Sequence, residues 1–221
     1  MASRSALASV VLLALGTVLM LALHVVPPTS EINIVRRTIS EYALSDLKWV
    51  FDLAVVLIAA GSAFGFAAVV RHAGVRPWSG AVVSGALFGA LWTASLLVIV
   101  VYTKTDWTVG PSMGGLIHRY ASVVGFVSLP LAVLLVARKA FPDRPAWRWA
   151  ARGFATVSLG WFGLILVGVV RMAAGYGPWW RFVPLGLVER AMALTAVLAI
   201  LTLALGLVTA GKSRDAVLVP A

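Results

Sequence analysis

Four side chains in this sequence are suited to moving protons while lying beside apolar segments: Glu41, Asp106, His118 and Glu189. A partly desolvated carboxyl group holds its proton more tightly, and a neighbouring imidazole can relay one, so the set points to general acid–base chemistry. Arg119 and Arg190 directly follow His118 and Glu189 and would stabilise negative charge, while Ser40 and Tyr42 flank Glu41 with hydroxyl groups. These four make up the candidate substrate-binding set. Each residue also has a plainer explanation. Glu189 lies one turn into a helix after Pro184, where a carboxylate complements the positive helix end. His118 and Arg119 begin a helix, where cations are unfavourable, so they call for an acidic partner such as Asp106 or Glu41. Asp52 follows Lys48 by four residues and reads as a surface pair. Arg36 and Arg37 read as interfacial or headgroup-binding residues, and Glu31, Asp46 and Lys104 as solvated loop charges.

Other chemistries lack their residues. The chain has no His-Glu-x-x-His pair. With no cysteine, disulfides and thiolate metal sites are excluded. A zinc site would have to draw on His24, His118 and carboxylates, a thin set, so neither a metal nor a cofactor is expected.

The elements that must position these residues are apolar helices. The chain is 61% hydrophobic and only 12% charged, and a membrane span needs about 20 mostly apolar residues. Six stretches qualify: 6–26, 49–70, 81–102, 116–138, 152–172 and 185–209. The expectation is an all-α integral membrane protein, a six-helix bundle forming one transmembrane domain over residues 1–221. The first run exceeds a usual signal-peptide core, and "ALHVVPP" offers no small-x-small cleavage site, so it reads as a retained helix.

A net charge of +10 does not imply nucleic acid, because the basic residues are spread over loops that flank the spans. Of the 18 basic residues, ten fall on the termini and the loops near 71–80 and 138–152, and eight on the opposite side. The positive-inside rule then places both termini in the cytoplasm of a multi-pass cell-membrane protein, and the candidate site on the extracytoplasmic side. Trp49, Trp107, Trp179 and Trp180 become anchors at the outer interface, and Trp78, Trp147 and Trp149 at the inner one. Gly61 and Gly65, like Gly85 and Gly89, lie one turn apart and permit close helix approach. The tail "GKSRDAVLVPA" reads as frayed.

Two segments echo each other, "GLIHR" at 115–119 and "GLVER" at 186–190, each following a Gly-Pro loop. Together with "ISEYAL" and "YTKTDW", they resemble, from about Leu13 to Gly206, an uncharacterised prokaryotic membrane family catalogued as domain of unknown function 998. By that resemblance Ser40, Glu41, Asp106, Gly115, His118, Glu189 and Arg190 occupy the family's recurrent polar positions. Members commonly carry Phe-Pro before the Thr-Asp pair, where this chain has Tyr102-Thr103-Lys104. The resemblance implies a fold and a site but no reaction.

The functional expectation is an intramembrane enzyme working on an amphiphilic lipid or isoprenoid-type substrate, protonation-driven cyclisation being one form. The alternative is a non-catalytic lipid-binding or accessory protein. A small-solute transporter fits less well, because no span carries a charge at its centre and none is plainly broken at midplane. The expected partners are membrane lipids and an amphiphilic small molecule.

Overall fold

The computed structural model describes residues 2–72 and 79–217; Arg76 and Trp78 of the expected 71–80 turn, and residues 218–221, lie outside the described residues. Six long helices carry the chain: α1 (Ala2–Ala22), α2 (Lys48–His72), α3 (Gly80–Val101), α4 (Met113–Ala140), α5 (Pro145–Ala173) and α7 (Leu185–Val217). A single turn of helix, α6 (Trp179–Phe182), precedes the last. Each long helix contains a stretch long and apolar enough to cross a membrane, so the chain is an all-α, multi-pass membrane protein.

The helix ends depart from the hydropathy reading where local chemistry intervenes. α1 stops at Ala22 rather than near 26, because Pro27 disfavours helix at the residue before it. The last turn tightens, with Val25 and Val26 both donating to the Ala22 carbonyl at 3.0 Å. α5 starts at Pro145 instead of 152; proline is well suited to a first helical position. Much of the loop expected near 138–152 therefore forms the opening turns of α5, with Arg148 and Arg152 stacked beside Trp149 at 5.9 and 5.7 Å. α7 also runs on to Val217, past the point where the tail was expected to fray.

Small residues set the packing. A methyl group at Gly61 would sit 2.9 Å from the Leu13 backbone nitrogen, and one at Gly65 would sit 2.9 Å from Ser9 Oγ, so α1 and α2 touch nearly backbone to backbone. Between α2 and α3 the indole of Trp92 donates to Ser62 Oγ at 3.0 Å, which satisfies a polar group deep among apolar side chains. α7 packs against α1, α2, α4 and α5, and Ala196, Ala199, Ile200 and Leu203 on it are buried. α5 is the least buried helix. Because α7 is central, its first turn lies in the middle of one end of the bundle, where the connections leaving α1, α3 and α5 converge.

Candidate functional site

The first turn of α7 grips the connection between α1 and α2. Helix starts leave backbone N–H groups without partners, and here the Val35 carbonyl accepts from Gly186 and Leu187 at 3.0 and 3.4 Å. Gly186 permits this approach, since a methyl group there would overlap the carbonyl oxygens of Ile34 and Arg37. Glu189 accepts the Ile39 N–H through Oε2 at 2.9 Å; Oε1 has no hydrogen-bond partner among the described residues.

Arg190 completes the clamp. Its Nη1 donates to the carbonyls of Ile34, Arg37 and Gly186 at 3.1, 2.7 and 3.0 Å. Nη2 donates to the Tyr42 hydroxyl at 3.0 Å, and Nε donates to His24 Nε2 at 2.9 Å. Tyr42 is fully buried, with its ring 5.6 Å from the guanidinium and edge-on to His24 at 5.3 Å. Every guanidinium nitrogen of Arg190 is thus engaged by the chain itself. These contacts also fix the state of His24: Nδ1 faces the Met20 carbonyl at 2.9 Å and must donate, so Nε2 is the acceptor and the ring is neutral. Burial first, and the Arg190 charge to a smaller extent, lower the His24 pKa below its ordinary 6.5, against an opposing pull from the Met20 carbonyl.

"ISEYAL" folds as a 3-10 helix, Ile39–Leu44. Ser40 is buried, with its hydroxyl 3.1 Å from Thr38 Oγ1. Glu41 points inward and pairs with Lys104 through Oε2 and with Arg37 through Oε1 at 3.1 Å. Lys104 also donates to Thr38 at 3.0 Å. The Glu41 and Lys104 side chains are each only 15% exposed, so Lys104 is not the solvated loop charge expected of it. Lys104, Glu41 and Arg190 all act electrostatically on Glu189, which makes one polar group of residues from two connections and the start of α7.

Asp106, His118 and Arg119 stand apart from this group. Asp106 Oδ1 accepts from the backbone and the hydroxyl of Thr108 at 2.9 and 2.7 Å. Those two bonds, the hydroxyl's foremost, hold its carboxyl below the usual aspartate value. They close a turn that ends at Gly110, whose φ of +123° favours glycine. His118 is buried, and its Nδ1 bonds the Tyr102 carbonyl at 2.7 Å, so the expected acidic partner is replaced by a peptide oxygen. Arg119 is exposed beside the Trp107 ring at 5.9 Å. The "GLIHR" echo therefore has a structural content. Gly115 lies against Thr105 as Gly186 lies against Ile34 and Arg37, and in both motifs the residue three further on bonds the backbone of the docked loop. Asp52 pairs with Lys48 at 2.5 Å, as its spacing implied.

Beside the clamp, Arg36, Arg37, Trp180, Arg181 and Leu185 line an open groove of about 560 Å³. Arg36 donates to the Arg181 carbonyl at 3.3 Å and ties α6 to the α1–α2 connection. Ile34, Val35, Phe182 and Leu187, close in sequence to its lining residues, are exposed apolar side chains. Sequence reasoning missed Lys104 and the part played by Arg181; their one signal is a basic residue in each of two loops leading toward the echoed motifs.

No curated protein and no solved structure matches the chain. Residues 6–206 match the family described as Protein of unknown function (DUF998). The match spans the bundle from α1 into α7, including the clamp and the docked α3–α4 connection, and the chain belongs to that family.

Proposed function

We propose that this protein binds an amphiphilic, lipid-type ligand at the clamped end of its bundle, with the polar group serving as a rigid frame for the groove. The observation that carries this reading is the groove itself: a basic floor and an exposed indole, with exposed apolar side chains close in sequence, at the end of a membrane-crossing helix. Aromatic and cationic side chains at that level match the boundary between headgroups and acyl chains. In this reading the cell membrane is the location, both termini are cytoplasmic and the clamp is extracytoplasmic, which the ten-to-eight division of basic residues supports. Native mass spectrometry of the protein, purified in mild detergent, tests the proposal. A co-purifying amphiphile at stoichiometric occupancy is expected, and protein that carries none, even after reconstitution with host lipid extract, contradicts it.

A second reading is favoured by one detail. Glu189 keeps Oε1 without a hydrogen-bond partner among the described residues while Lys104 and Glu41 lie close enough to affect it, an arrangement suited to giving a proton to a bound amphiphile. Under this acid–base reading, Glu189→Gln abolishes turnover of the co-purified compound without reducing its binding. Unchanged turnover in that variant removes the reading.

A further inference from the structure

We infer that the groove beside the clamp takes a phosphate headgroup carrying about two negative charges, a phosphomonoester or pyrophosphate on an amphiphilic chain. The inference rests on the amphiphile-binding reading above and names the chemistry of the ligand's head. Three arginines line the groove and, among the described residues, no acidic residue does. Arg181 has no side-chain partner among the described residues, and the one bond from Arg36 goes to a neutral carbonyl. Arg37 shares Glu41, but Lys104 already compensates that carboxylate. The site is left with a surplus of positive charge that one carboxylate or one phosphodiester would not balance. A phosphomonoester carries roughly −1.5 to −2 at neutral pH and offers three acceptor oxygens. The guanidinium fork suits such oxygens better than an ammonium does.

Size and surroundings favour a lipid over a free ion. Ligand pockets run to roughly 300–1,000 Å³, and about 560 Å³ is far more than one phosphate fills. Trp180 and Leu185 supply an apolar wall, and Ile34, Val35 and Phe182, close in sequence to the lining residues, add exposed apolar surface. A headgroup seated on the arginines would leave its chain to run along that surface into the bilayer.

The test uses the full-length protein in nanodiscs of phosphatidylcholine containing equal small fractions of phosphatidic acid, phosphatidylglycerol or further phosphatidylcholine, with retained lipid counted by native mass spectrometry. Wild type is expected to retain phosphatidic acid at least tenfold over phosphatidylcholine, with phosphatidylglycerol between. Arg181→Gln, which removes no side-chain bond among the described residues, should lower that preference about threefold, and Arg36→Gln with Arg181→Gln should abolish it. Inorganic pyrophosphate added to the lipid-loaded protein separates the sources. Weak competition supports a lipid phosphate, and displacement at equal concentration supports the same site with a soluble phosphoanion as its ligand. Equal retention of all three lipids overturns the phosphate assignment and leaves amphiphile binding standing. No retention of any lipid overturns both. Unchanged preference in the double variant overturns the assignment to these arginines.

Discussion

Arg190→Gln should destabilise the protein by about 3 kcal/mol. The guanidinium makes five bonds to the chain. Those to the Ile34 and Arg37 carbonyls are exposed, so water can replace the donor at little cost. Those to His24, Tyr42 and Gly186 are partly buried, and roughly 1 kcal/mol net for each gives the total. For a chain of this length, about 2–4 °C per kcal/mol converts the loss to a fall of roughly 6–12 °C. Thermal denaturation in one detergent, followed by size-exclusion recovery of a fluorescently tagged protein, measures it. Arg190→Lys restores the charge but not the fork, so it should recover less than half of the loss. A variant Arg190→Gln that melts within about 2 °C of wild type, or a lysine variant fully equal to wild type, would refute the clamp as a source of stability.

Gly186→Ala should cost about as much as losing Arg190, because its methyl group would push the Ile34 and Arg37 carbonyls off the helix start; the same denaturation series reads it. A double-mutant cycle of Glu41→Gln and Lys104→Met should give a coupling of about 1–2 kcal/mol, above that of exposed pairs, since both side chains are largely shielded; coupling below about 0.5 kcal/mol would make the pair incidental. Stability should fall as pH drops below 6.5. His24 has its folded-state pKa lowered by burial, so the unfolded chain takes the proton first and gains in that window, while above 6.5 the full stability is present. Melting temperature measured from pH 8 to 5 should show this decline, and His24→Gln should flatten it.

The bundle was legible because six long apolar runs leave few alternatives, and the glycines at 61 and 65 lie where close approach was expected. The site was legible only in outline. "ISEYAL" and "GLVER" meet as paired pieces, but the charge that joins them to the α3–α4 connection, Lys104, lies 63 residues from Glu41, a pairing that no local pattern encodes. His118 misled for a physical reason: an imidazole at a helix start can take a peptide carbonyl as partner as readily as a carboxylate, and spacing does not tell the two apart. The bonds of Arg190 to the Ile34 and Arg37 carbonyls were not legible, because a side chain's partners on another loop's backbone leave no trace in side-chain chemistry. The echo at Gly115 and Gly186 was visible as letters, whereas its meaning, a glycine seat for a docked loop, needed coordinates.

Hydrogen–deuterium exchange of the protein in nanodiscs with and without phosphatidic acid tests the central claim most directly. Ligand in the groove should slow exchange in segments 33–41 and 179–189, which line and support it, and leave the opposite end near Ser5 and Arg71 unchanged. Protection confined to that opposite end, or absent everywhere at saturating lipid, would contradict a lipid-binding site at the clamp.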